Sequence, residues 1–176
     1  MKLIALIAVA VFAAPQDMPK PGKEHETLKN QFEGEWTYEA KFFMDPSQPP
    51  QEMKGTDSAK MGYGGWWLTS EVSGDMFGQP FHGRWTMTYD TNKKKFVGSW
   101  IDSMMPVQLT FEGDVDAAGK VYTLVVDSVD PQTMKPVKER WVINIDTDDS
   151  HSMKFFAPGP DGKERNTGEI KYKRKK

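Results

Sequence analysis

The chain contains no cysteine, which excludes a thiol nucleophile, a thiolate metal site, a disulfide and a lipid-bearing cysteine behind a leader. Stability therefore has to come from packing. There is no excess of positive charge either: 23 Lys and Arg face 25 Asp and Glu, for a net charge of −2, a balance that disfavours nucleic acid or another polyanion as partner. Two basic runs, Lys93-Lys94-Lys95 and Lys171 to Lys176, fall where a turn and a chain end are expected and read as solvated. The sequence has no Gly-x-Ser-x-Gly elbow, no phosphate loop and no dinucleotide fingerprint. Its histidines, His25, His82 and His151, are too scattered for a short metal motif.

Long apolar runs are absent except at the start. Met1-Lys2, an apolar stretch from Leu3 to Phe12, and Ala13-Ala14-Pro15 follow the order of a secretory signal, and the stretch is too short to span a bilayer. Small residues at Val11 and Ala13, with Pro15 disfavouring a cut after Ala14, place the expected cleavage after Ala13. A buried N-terminal strand is the alternative, opposed by the polar, Pro-rich segment 16–23. The expected organisation is a signal peptide at 1–13, a flexible Pro-rich leader at 14–24 and one domain at 25–176, secreted or periplasmic, with no integral membrane segment after cleavage. Loss of Lys2 would make the protein one charge more negative. What remains is long enough for one well-buried domain.

Leu28 and Phe32 lie four apart with polar residues between them, predicting a short amphipathic helix from Lys23 that ends before Gly34. Beyond it the pattern changes to period two, with turn signals about every ten residues. In the first strand Trp36, Tyr38, Ala40 and Phe42 alternate with Glu35, Thr37, Glu39 and Lys41, so one face is buried and the other wet. Strands are expected at 35–43, 53–61, 66–73, 81–89, 95–101, 107–113, 120–127, 137–146, 151–156 and 165–173. Ten short sequential strands are best served by closing the sheet, which removes unpaired edges. The fold expected is all-β: an up-and-down antiparallel barrel with a short N-terminal helix, a two-sheet sandwich being the alternative.

Four segments resemble a bacterial family, domain of unknown function 1579: Gly34-Glu35-Trp36, the stretch from Gly64 to Glu71, the long run from Tyr89 to Met104, and Pro158 to Glu164. That resemblance sharpens the fold and implies no activity. At the level of fold the pattern is also similar to calycins, the lipocalin-like barrels that include fatty-acid-binding proteins and haem-binding nitrobindins. In lipocalins a late basic side chain packs over the Gly-x-Trp indole; the resemblance assigns that role to Arg174 over Trp36, as a cation–π cap, with Gly34 allowing close approach of the backbone.

His25 is expected to be solvated on the helix and His82 to face outward, opposite Phe81, Trp85, Met87 and Tyr89. His151 shares a face with Met153 and Phe155, the expected lumen. There it is either a haem ligand, as the nitrobindin resemblance allows, or a rim histidine held by a hydrogen bond. Asp114 to Gly119 mimics part of a calcium loop, but Ala118 stands where an oxygen ligand belongs, so a hairpin turn is the better reading. The acidic segment from Asp146 to Asp149 is likewise a turn. Copper binding by thioethers is an alternative to core packing for the 11 methionines, and Met104-Met105 could line a mouth. Asp102 shares a face with Phe96, Gly98 and Trp100; it is either a lumen carboxylate with a raised pKa or, with Ser103, the cap of the turn before Pro106.

The function expected is non-catalytic binding of a small, largely apolar molecule in the barrel, with no cofactor. The candidate lining residues are Tyr38, Trp66, Trp85, Trp100, Asp102, Met104, Phe111, Trp141, His151 and Phe155. Gly34, Trp36 and Arg174 would close the barrel. Other readings are a haem-binding barrel, an enzyme using Asp102 or His151, and an envelope interaction module with a filled interior. The module would use an outer patch around Trp67, Tyr122, Leu124 and Val126. Oligomeric state is open.

Overall fold

The computed structural model describes residues 19–43, 47–76, 78–130 and 133–176; the expected signal peptide and the first part of the leader lie outside them. After α1 (Lys23–Phe32) come β1 (Gly34–Phe42), β2 (Gln51–Gly62), β3 (Trp67–Met76), β4 (Gln79–Asp90) and β5 (Lys95–Asp102), then β6 (Leu109–Val115), β7 (Val121–Val129), β8 (Pro136–Thr147), β9 (Ser150–Pro158) and β10 (Glu164–Arg174). Each strand pairs antiparallel with its neighbours in sequence, and β1 pairs with β10, so the sheet is a closed up-and-down barrel and not a sandwich. Hydrogen bonding leaves no free edge. None of the described helices is long and apolar enough to cross a membrane.

Alternate side chains fill the interior, as the pleat requires: Trp36, Tyr38 and Ala40 from β1, Leu68, Ser70 and Val72 from β3, Ile143 and Ile145 from β8. The outer patch expected at Tyr122, Leu124 and Val126 is corrected by the structure. All three are fully buried, while Val125 is exposed. Strand β7 carries valines on both faces, so alternation alone cannot choose between them; the Tyr122 hydroxyl settles it by donating to Gln31 Oε1 of the helix at 2.6 Å. Of that set, only Trp67 is exposed.

Helix α1 stoppers one end of the barrel. Leu28 and Phe32 are buried on its inner face, and Phe32 packs edge-on against Trp85, Tyr122 and His151. His25, expected in solvent, is buried. Its Nδ1 accepts from Gly22 N at 3.2 Å, leaving the Nε2 proton for Thr88 Oγ1 at 3.3 Å, and Thr88 in turn donates to the Trp66 carbonyl at 2.6 Å. This relay ties the start of the helix to β4 and to the turn before β3. Burial lowers the His25 pKa, against an opposing pull from Glu24, which favours the neutral ring that the relay needs.

The barrel closes at Trp36. Trp36 is 1% exposed, and its indole N–H donates to the Phe32 carbonyl at 2.8 Å. The strand register sets Arg174 opposite it, with the guanidinium carbon 4.1 Å from the indole centroid. Arg174 then spends its donors on backbone: Nη1 to Glu33 O at 2.5 Å, Nε and Nη2 to Asp148 O at 3.2 and 3.1 Å. Glycine is required at position 34 because φ is +142° and a Cβ would lie 2.4 Å from Arg174 Nη1.

Gly34→Ala should therefore cost about 2 kcal/mol or more through backbone strain and eviction of the guanidinium. Arg174→Ala should cost about 2 kcal/mol through the lost cation–π contact and carbonyl bonds. Urea denaturation of both single variants and the double variant checks the coupling, because damage to one shared contact adds to less than the sum.

Candidate functional site

A cavity of about 260 Å³ lies inside the barrel. Trp36 and Phe32 form its floor at the helix end, and the wall rises past Tyr38, Trp85, Trp141 and Phe155 to Phe81, Trp100 and Met104 at the opposite end. The aromatic side chains of the wall are tied together from behind by Phe111. Trp85 packs on Phe111 at 5.8 Å between centroids, Phe111 on Trp141 at 6.1 Å, and Trp141 on Phe155 at 5.4 Å.

Of the residues expected to line it, Tyr38, Trp85, Trp100, Asp102, Met104, Trp141, His151 and Phe155 do so. Two do not. Trp66 stands in the turn before β3 and packs edge-on against His25 at 4.9 Å, because a short 3-10 turn at Tyr63–Gly65 starts the strand one residue later than expected. Phe111 is buried, but it stands behind Trp85 and Trp141 and buttresses them. Arg174 lies over the Trp36 indole as the resemblance implies, outside the cavity lining, and is committed to the Glu33 and Asp148 carbonyls and to Asp149.

Two indoles, Trp100 at the mouth and Trp141 on the wall, are held by the same device: a carboxylate two residues away along the strand takes the ring N–H. Asp102 Oδ2 accepts from Trp100 at 2.7 Å and Glu139 Oε2 from Trp141 at 2.9 Å, satisfying a donor that an apolar wall would strand. Asp102 Oδ1 also accepts from the amides of Met104 and Met105 at 2.8 and 3.2 Å, so it caps the turn before Pro106. The exposed Met104 is thereby placed over the opening. Trp100 lies flat over position 83, where a Cβ would come within 2.2 Å of its ring; only glycine admits it.

The polar groups deeper in the cavity include one that sequence reading missed. Asp57, on β2 beside Trp36 in the register, is 7% exposed and lines the cavity. One carboxylate oxygen accepts from the buried Ser70 hydroxyl; no other side-chain hydrogen bond reaches Asp57 from the described residues. Burial, with lesser repulsion from Glu35 and Glu71, pushes its pKa up to about 6, against the Ser70 bond. Burial and the same carboxylate raise Tyr38 to about 12 and push Tyr172 well up.

His151 also lines the cavity. Its ring stacks on Tyr172 at 4.3 Å and meets Trp36 edge-on at 4.6 Å. Its Nδ1 is buried without a partner, so the rim hydrogen bond considered for it is not made there. Burial, then the Arg174 charge, lower its pKa to about 3, and the ring is neutral at ordinary pH. A haem-ligating imidazole is oriented by a hydrogen bond to its other nitrogen, which an orphaned Nδ1 cannot supply. No described residue gives His151 Nδ1 such an orienting bond. His82 is exposed, 3.3 Å from Ser73 Oγ, and Asp114 to Gly119 is the end of β6 running into a hairpin turn in which Asp116 Oδ1 accepts from Lys120 N and Val121 N. Met87 and Met153 are core filler.

Asp57 and His151 act on stability in opposite senses. Below about pH 6.5 the unfolded imidazole takes a proton that the folded ring refuses until about pH 3, so His151 subtracts stability as pH falls through that window. Folded Asp57 keeps its proton up to about pH 6, whereas an unfolded carboxyl loses it above about pH 4. Its burial cost is thus relieved as pH falls from about 6 to 4. Asp57→Asn should raise stability at pH 7.5 by about 1–3 kcal/mol and steepen the acid loss between pH 6 and 4. His151→Phe should flatten the loss below pH 6.5. Urea midpoints measured across pH check both slopes.

None of the curated proteins matches the sequence. Among solved structures, Rv2717c from M. tuberculosis is similar at 14% identity and a TM-score of 0.66, over 89% of this chain and all of that one. The S-type phycobiliprotein lyase CPES from Guillardia theta is similar at 11% identity and a TM-score of 0.55, over 89% of this chain and 99% of that one. At these identities the likeness is one of fold. A family model, by contrast, matches residues 20–174, and the chain belongs to that family, the proteins of unknown function DUF1579.

Proposed function

We propose that this protein binds a small, largely apolar molecule inside its barrel, without catalysis, and does so outside the cytoplasm. The observation that carries the reading is the cavity of about 260 Å³ walled by Trp85, Trp141 and Phe155. A barrel of packed side chains has no use for such a space, and apolar cavities with a few polar groups are the usual form of a small-molecule site. Asp102 is occupied in holding Trp100 and a loop, and His151 is neutral and clamped between rings. Among the described residues neither shares a hydrogen bond with a second titratable side chain, which supports binding over acid–base chemistry. The reading assigns no cofactor. Export rests on the leader sequence, with its charge, apolar stretch and small residues.

Mass spectrometry of an organic extract of the purified protein should yield a single apolar compound near one per chain. Ala40, 2% exposed and on the cavity wall, offers the control. Ala40→Phe should fill the space and abolish retention while the protein stays folded by circular dichroism. An empty extract from native protein together with no uptake of apolar compounds would count against the reading.

A further inference from the structure

Two acids line the cavity, and the base among its lining residues, His151, is held neutral by burial. Asp57 stands at its floor and Asp102 at its mouth, and neither lysine nor arginine is among the residues that line it. Arg174 packs over Trp36, gives its donors to the carbonyls of Glu33 and Asp148, and has Asp149 as its ion-pair partner. It is not available as a counter-ion. Asp102 has both oxygens engaged by Trp100 and the loop amides. Asp57 has one oxygen engaged by Ser70 and hydrogen-bond capacity to spare, inside an apolar enclosure where an unmet acceptor is costly.

A fatty acid entering head first would bring a carboxylate to a carboxylate in a low-dielectric site with nothing to neutralise either. A hydroxyl or ammonium group would instead donate to Asp57, while an alkyl or ring body lay against Trp85 and Phe155. Resting on the binding role set out above, we infer that Asp57 is the head-group anchor of the site. The cavity selects molecules with a hydrogen-bond-donating end, an alcohol or an amine on an apolar body, and rejects carboxylates. Asp57 is thus a specificity-determining residue, and the selectivity is opposite to that of a barrel with a basic floor.

Titration of delipidated protein at pH 7.5 with decanol, decylamine and decanoate, read by tryptophan fluorescence, tests this on one chain length. Decanol and decylamine should bind at least about tenfold more tightly than decanoate, about 1.4 kcal/mol. In Asp57→Asn, with folding verified by circular dichroism, the advantage of decylamine over decanoate should shrink by about tenfold. A mere difference in water solubility would leave it unmoved. Decanoate binding as tightly as decanol, or selectivity unchanged in the variant, would overturn the anchor and leave apolar binding standing. Failure of all three compounds to bind would overturn both.

Discussion

The contact between Trp36 and Arg174 is the constraint on which the rest of the structure depends. It joins the first strand to the last, and the register that sets the two residues opposite each other is the register that closes the barrel. One guanidinium reaches the indole face, the carbonyl at the end of α1 and the turn between β8 and β9. A lysine has no planar fork with which to do this. With that end sealed, and with Phe32 seated from the helix, ten strands make a cup open at one end instead of a tube.

The interior then has to reconcile two demands. Aromatic walls stabilise the fold by burial, yet indole N–H groups and a carboxylate remain among them. Trp100 and Trp141 are satisfied by acids on their own strands. Asp57 is satisfied only in part, by Ser70, and its ionised form is held at a cost when no ligand meets it. A protein selected for stability alone has no reason to keep that carboxylate. Together with the orphaned Nδ1 of His151, it marks the floor as the place where packing has been sacrificed.

Much of this fold is legible in the sequence, because strands announce themselves by period two and by Gly and Asx turns. The alternation from Trp36 to Phe42 identifies β1, its inner face and its end. Depth is harder to read. Phe111 and Trp141 share the same inward pattern, and only packing decides which stands in front of the other. Trp66 falls outside the cavity because a single short turn shifts the start of β3, and His25 is buried because a threonine and an indole distant in sequence meet it. Asp57 was within reach, since Met53, Gly55, Asp57 and Ala59 share one face of the expected second strand. The opposite face, Lys54, Thr56, Ser58 and Lys60, is wholly polar, yet a carboxylate is so seldom buried that Asp57 reads as surface until the pairing of β2 places it inside.

The central claim is that the barrel is a cup with an apolar wall and an acceptor at its base. A crystal structure of the protein grown with decanol tests it most directly. The account predicts the alkyl chain between Trp85 and Phe155 with its hydroxyl against Asp57. A chain lying on the outer face beside Trp67, or one displacing Trp36 to pass out at the helix end, would contradict it.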